Sequence, residues 1–174
     1  MNVWIINKGN IKLKDISKKL LAYIYFHTKG KKIDFDKIVY GKYGKPYYID
    51  DFFYNISHSK NYICIVVSNS EVGIDIEEDR NFSSNLKERV LTLEELGDSN
   101  INLVEYWSIK EAYSKYMGMG LYLHFNEISV SQIKECINLY NLSTDKYYCF
   151  VVGEEILDSV NFINIKDLVD NLNI

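Results

Sequence analysis

In Gly73-Ile74-Asp75-Ile76-Glu77 the two-residue period of a β-strand puts Asp75 and Glu77 on one face and Ile74 and Ile76 on the other. Two carboxylates aimed at one point suit a hard divalent cation, and magnesium in particular combines one or two carboxylates with water and a substrate phosphate. The same alternation also marks an antiparallel strand whose outer face is acidic and solvated. In Trp107-Ser108-Ile109-Lys110-Glu111-Ala112-Tyr113-Ser114-Lys115, residues 107, 111 and 115 recur at four, so Glu111 and Lys115 share a helical face. Glu111 could add a third oxygen ligand and Lys115 could neutralise a phosphate on the same metal; otherwise the two form a surface ion pair beside a core tryptophan. Lys110 lies about 100° around that helix, at the rim of such a pocket. Ser57-His58-Ser59 offers two hydroxyls and an imidazole, all able to hydrogen-bond phosphate oxygens, or is a plain surface loop. A Ser-His hydrolase is disfavoured, because nucleophile and base are sequence neighbours and no Gly-x-Ser-x-Gly elbow exists. Lys45, next to Pro46 in a tight turn, either reaches a ligand or is a solvated loop lysine.

Several elements must hold these residues. Val3 to Asn7 reads as a strand, and Asp15 to His27 as an amphipathic helix with Ile16, Leu20, Tyr23, Ile24 and His27 at helical spacing, ended by Gly30. Phe35 to Tyr40 and Phe52 to Ile56 are strand candidates flanking the turn at Gly41 and Gly44. Tyr62 to Ser68 and Val72 to Glu77, separated by Asn69 and Ser70, predict a β-hairpin. Asn81 to Gly97 carries two short helical patterns, and Asn102 to Met117 a longer helix stopped by the glycines at 118 and 120. Strands are expected at Glu127 to Ser131, Tyr147 to Val152 and Val160 to Asn164, then a terminal helix from Lys166. Strands followed by helices in two rounds predict an α+β architecture of two similar halves, 1–78 and 79–174, forming one compact unit.

The 174 residues, 47% hydrophobic and 25% charged, suffice for one such unit. The net charge of -4 gives no general reason to bind nucleic acid or anionic lipid, although a local basic pocket for phosphate is compatible with it. Cys64, Cys136 and Cys149 are odd in number and lack CxxC spacing, so they read as reduced core thiols and point to a cytoplasmic protein. No apolar stretch reaches the roughly 18 residues of a membrane span, and no export signal is expected at the N-terminus.

Taken in order, Tyr43-Gly44-Lys45-Pro46, Phe53-Tyr54-Asn55-Ile56-Ser57-His58-Ser59, Gly73-Ile74-Asp75-Ile76-Glu77, Trp107 to Lys115 and Gly118-Met119-Gly120-Leu121 resemble the signature of Sfp-type 4'-phosphopantetheinyl transferases. The likeness runs from about Leu20 to about Val152. It implies two α/β subdomains related by a pseudo-twofold axis, with coenzyme A and magnesium in the cleft between them. It further implies that Asp75, Glu77 and Glu111 bind magnesium, that Lys115 meets the pyrophosphate, that Lys45, Ser57 and His58 hold coenzyme A, and that Lys110 is a further basic residue of the site. The activity implied is transfer of 4'-phosphopantetheine to a serine of an apo acyl or peptidyl carrier protein with release of 3',5'-ADP. Glu111 would act as base and Lys115 would stabilise the leaving oxygen. The carrier is expected on the segment from Asn81 to Gly97, against Phe82, Leu86 and Leu91, and the enzyme is expected to be a monomer. The chain departs from the family at its short front end, at Lys60 where glycine is usual, and at Met119 where lysine is common. Two rival readings remain: a magnesium-dependent phosphohydrolase using the same acids, and a catalytically silent coenzyme A or carrier-binding module.

Overall fold

The computed structural model describes residues 1–9, 13–50, 52–79, 82 and 84–168. The first half comprises β1 (Asn2–Asn7), α1 (Leu13–Lys29), β2 (Ile38–Tyr40), β3 (Pro46–Tyr48), β4 (Phe53–His58), β5 (Tyr62–Ser68) and β6 (Val72–Glu77). The second comprises α2 (Ser84–Val90), α3 (Leu93–Leu96), α4 (Leu103–Tyr116), α5 (Val130–Cys136), β7 (Asn138–Asn141), β8 (Tyr148–Gly153) and β9 (Ser159–Asn164). This is the mixed α+β class that the alternating strand and helix patterns predict.

One sheet has the order β4-β5-β1-β9 and another β6-β8-β7, with β2 and β3 forming a separate ribbon. β1 pairs antiparallel with β5 and parallel with β9, whereas β6 pairs antiparallel with β8. The expected strands at 62–68 and 72–77 therefore exist, but they are not a hairpin. The chain crosses from one sheet to the other between them, because β5 is flanked by β4 and β1 and has no free edge for β6. Each sheet also takes a strand from across residue 78: β6 joins β8, and β9 joins β1.

The apolar faces explain why the sheets meet. Val3, Ile5, Cys64 and Val66 of the first sheet pack with Ile74, Ile76, Cys149 and Val151 of the second in one buried cluster. The opposite face of the first sheet, with Ile6, Ile63, Ile65 and Val67, is covered by Ile16, Leu20, Leu21, Ile24 and Tyr25 of α1. Ile109 and Ala112 of α4 cover Phe150 and Val152 of β8.

α4 lies directly on β6, and Gly73 permits the approach. A Cβ there would fall 2.0 Å from the Ala112 carbonyl oxygen and 2.4 Å from the Tyr116 amide nitrogen. The helix starts at Asn102, whose side-chain oxygen accepts from the amides of Val104 (3.0 Å) and Glu105 (3.2 Å). It ends before Gly118, at φ +67°, a conformation natural to glycine.

Other local expectations fail for identifiable reasons. Residues 35–37 form a 3-10 turn capped by Asp34, leaving only Ile38–Tyr40 as strand. The strand expected at 127–131 is replaced by a helix from Val130, because Ser129 and Gln132 form a reciprocal capping box. Lys166 falls in a short 3-10 turn, Ile165–Leu168, and the rest of the expected terminal helix, like Asn81, lies outside the described residues. Cys64 and Cys149 are buried as expected, but Cys136 is exposed at the end of α5.

Candidate functional site

Asp75 lies at the seam between the sheets. The strand pattern allowed a solvated acidic face, but Asp75 is 4% exposed, so its carboxylate must find partners inside the protein. One oxygen, Oδ1, accepts from the Ser57 hydroxyl (2.7 Å) and from the Lys115 ammonium (2.7 Å); the other, Oδ2, accepts from the Ser108 hydroxyl (2.9 Å). Lys115 also donates to Ser57 Oγ at 2.8 Å, closing a three-membered network. β4, β6 and α4 thus each contribute to one charged cluster. Asn55 fixes the distance between β4 and β6, since its side-chain oxygen accepts from the Ile74 amide at 3.1 Å.

Lys115 remains a cation in this setting. Burial pulls its pKa down, but the nearby charges of Asp75 and Glu111 together with the Asp75 hydrogen bond outweigh it and leave the pKa raised. A lysine so held is a hydrogen-bond donor and a positive charge rather than a base. Glu111, half-exposed one turn before Lys115, is close enough to act on it electrostatically. Glu77, at the end of β6, accepts from the Trp107 indole nitrogen at 3.1 Å, and Trp107 is in turn braced edge-on by Phe125 at 5.5 Å between ring centroids.

His58 is exposed at the end of β4 and lines a cleft of about 510 Å³ together with Glu77, Ser59, Lys60 and Lys8. Its sequence neighbour Ser57 is buried and points at Asp75 instead. The strand period separates the two: adjacent residues face opposite ways.

The structure corrects the expectation for Lys110. Its side chain is fully buried and its ammonium is bound to Glu95 Oε2 (2.5 Å), the Val90 carbonyl (2.8 Å) and the Phe125 carbonyl (3.0 Å). All three of its donors are committed, so it cannot hold a ligand from the rim of the pocket. The rotation that places Lys110 away from Glu111 turns it inward, because α2, α3 and the 125–127 turn cover that side of α4. Burial pulls its pKa below the ordinary lysine value against the opposing influence of Glu95.

Lys45 is likewise held by protein groups: Glu71 Oε2 (2.5 Å) and the carbonyls of Val72 and Tyr116 (3.2 Å each). This places its ammonium beside the start of β6, about 10 Å along the strand from Asp75. Leu91 is also corrected: at 1% exposure it is core, whereas Leu93, 91% exposed, is the large apolar side chain that this segment shows to solvent.

Ser108 was not singled out by sequence. Its signal was available, since 108, 111 and 115 share a helical face at spacings of three, four and seven, but a serine beside a tryptophan gives little reason to look.

Among the described residues, no three acidic, histidine or cysteine side chains stand close enough together to hold a metal ion, and no helix is long and apolar enough to cross a membrane. Asp75, Glu77 and Glu111 all flank the contact of β6 with α4, but the cation at Asp75 is Lys115.

Residues 71–163 match the 4'-phosphopantetheinyl transferase superfamily. The chain is 29% identical to the L-aminoadipate-semialdehyde dehydrogenase-phosphopantetheinyl transferase of Candida glabrata, over 80% of this chain and 67% of that protein. It is 29% identical to the 4'-phosphopantetheinyl transferase gsp of Aneurinibacillus migulanus, over 70% of this chain and 57% of that protein. With the 4'-phosphopantetheinyl transferase Sfp of Bacillus subtilis it shares 32% identity over 51% of this chain, spanning 44% of that relative. The matched region holds β6, α4 and β8, hence Asp75, Glu77, Ser108, Glu111 and Lys115, the core of the cluster described above. This chain belongs to the 4'-phosphopantetheinyl transferase superfamily.

Proposed function

We propose that the chain transfers the 4'-phosphopantetheine group of coenzyme A to a serine of an apo acyl or peptidyl carrier protein and releases 3',5'-ADP. The observation that supports this reading best is the pairing of the buried Asp75 carboxylate with the Lys115 ammonium, both inside the segment that matches the superfamily, joined by Ser57 from β4, whose neighbour His58 lines an open cleft.

The reaction is a displacement at phosphorus. The carrier serine oxygen bonds to the phosphorus on the pantetheine side, the phosphoanhydride bond breaks, and the electron pair leaves on the phosphate oxygen of 3',5'-ADP. The protein has chiefly to align attacker and leaving group and to neutralise charge. Lys115 supplies a permanent positive charge for the leaving oxygen, and Glu111, half-exposed on the same face of α4, receives the serine proton. His58 lines the cleft on the side of β4 and meets substrate phosphate oxygens. Lys45, whose ammonium sits at the start of β6 and is held by Glu71, meets a part of coenzyme A more distant from this cluster.

Asp75, Glu77 and Glu111 carry oxygen donors of the kind magnesium takes, but they would have to draw closer together to hold it, and the geometry at Asp75 adds a second condition. Asp75 Oδ1 is occupied by Lys115, so a cation takes that place only as the ammonium moves aside. When bound, magnesium would supply charge neutralisation at the pyrophosphate. The carrier docks beside α2 and α3, where Leu93 and Leu86 offer apolar contact, and a cytoplasmic monomer completes the proposal.

The test is incubation with coenzyme A, magnesium and a panel of apo carrier proteins, read by intact mass. The expected result is one phosphopantetheine added to at least one carrier. Release of pantetheine phosphate without any carrier would favour a phosphohydrolase, and tight coenzyme A binding with no product from any carrier would favour a silent binding module.

A further inference from the structure

The cleft lined by His58, Lys60 and Glu77 contains a further cation that the sequence did not single out. Lys8, the residue after β1, is only 6% exposed. Its ammonium donates to the Lys60 carbonyl (2.5 Å) and, at longer range, to the Gly9 carbonyl (3.3 Å). Among the described residues, no carboxylate lies within ion-pair distance of it. Glu78, which lines the same cleft, is turned to Asn61 instead, accepting from its amide (2.6 Å) and its side-chain nitrogen (2.7 Å).

An ammonium has three donors, and two carbonyls leave the third open. A neutral donor would serve those carbonyls equally well. A desolvated positive charge without a counter-ion is unfavourable unless an anion meets it. The exposed Lys60, held in place by that same bond to its carbonyl, brings a further ammonium to the cleft, and His58 an imidazole.

We propose that Lys8 and Lys60 hold a phosphate group of coenzyme A on the His58 side of the cleft. This rests on the functional reading above and deepens it, by assigning substrate phosphate to two lysines outside the cluster of β6 and α4. The phosphate is either the 3'-phosphate or part of the pyrophosphate, and the chemistry that recognises it is the same.

Lys8→Met keeps the buried stem and removes the charge; Lys60→Gln alters only an exposed side chain. Both are titrated by calorimetry with coenzyme A and with dephospho-coenzyme A at two ionic strengths, alongside thermal unfolding. Each folded variant is expected to bind coenzyme A about tenfold more weakly or worse, the loss of one charge-assisted contact, with the larger deficit at low salt. A deficit that persists with dephospho-coenzyme A assigns the pyrophosphate, and one that vanishes assigns the 3'-phosphate. Unchanged affinity in both variants overturns the inference. If Lys8→Met fails to fold, Lys60→Gln decides alone. If the unaltered protein binds no coenzyme A, the proposed function falls. Titration with inorganic pyrophosphate then judges the anion site separately, and equal binding by the unaltered protein and Lys60→Gln refutes it.

Discussion

Lys115→Met separates the structural role that its ammonium plays beside Asp75 from the two roles proposed for it, competitor of magnesium and donor to the leaving oxygen. It removes the charge 2.7 Å from Asp75 Oδ1 and 2.8 Å from Ser57 Oγ while leaving most of the side-chain volume. Losing one partner of a fully buried ion pair costs about 3–5 kcal/mol. Here the lysine side chain is 23% exposed and Asp75 keeps both serine hydroxyls, so the expected loss of stability is smaller, about 2 kcal/mol. Magnesium affinity in the absence of coenzyme A should move the other way. A cation entering the unaltered protein must displace two hydrogen bonds made by the ammonium, each worth about 1.5 kcal/mol or more, and in the variant it meets an uncompensated carboxylate. An increase of about tenfold or more in affinity is the expected result. Transfer should nevertheless slow by about 100- to 1,000-fold, as for loss of a comparable electrostatic donor. Binding can be followed by the fluorescence of Trp107, whose indole is bonded to Glu77, in a Trp4→Phe background that leaves it the only tryptophan. If magnesium binds the variant no more tightly than the unaltered protein, Lys115 and the metal do not compete for Asp75, and the proposed metal position is wrong.

Lys110→Met should lower stability by about 3–5 kcal/mol in urea unfolding, because it leaves Glu95 and two carbonyls buried without their cation, while coenzyme A affinity of the folded protein stays unchanged. A folded variant with weakened coenzyme A binding would restore Lys110 to the site. Glu111→Gln should nearly abolish transfer and resist rescue by excess magnesium, whereas Asp75→Asn should be rescued in part; full rescue of Glu111→Gln would make it a ligand only and move the base elsewhere. Gly73→Ala should cost about 1–3 kcal/mol or more by thermal melting and impair transfer, since the added methyl pushes α4 off β6; a melting temperature equal to that of the unaltered protein would show that the close approach is not maintained in solution.

Periodicity made most elements legible and left their pairing hidden. The strands at 62–68 and 72–77 were readable because β-branched residues and alternation are local signals. Whether two neighbouring strands pair depends on which edges are already taken, and β5 has both neighbours supplied by β1 and β4, remote in sequence from one another. The helix from Val130 was missed because Ile128 and Val130 outweighed the short capping box that starts it. At the site, the spacing of Asp75 with Glu77 and of Glu111 with Lys115 was visible in the chain. The inward turn of Lys110 was not, because a helical wheel gives an angle without saying which side of the helix is covered. Lys8 was invisible for a similar reason: only the folded turn at 58–62 buries it.

The exchange of strands across residue 78 also explains how a carboxylate can be buried at the site. Asp75 occupies the seam where β4 of one sheet runs beside β6 of the other, and no backbone ladder joins these two strands. Side chains make the join instead: Asn55 to the Ile74 amide, and Ser57 to Asp75. Ser108 and Lys115 close it from α4, which Gly73 admits to within contact of the β6 backbone. The polar groups that would hold a metal and a phosphate are therefore also those that hold the two sheets in register. A ligand that draws Lys115 away from Asp75 must leave Ser57, Ser108 and Asn55 to keep the seam closed, and the three contacts that these residues make with β6 are enough to give the carboxylate and the strand fixed positions while the ammonium moves.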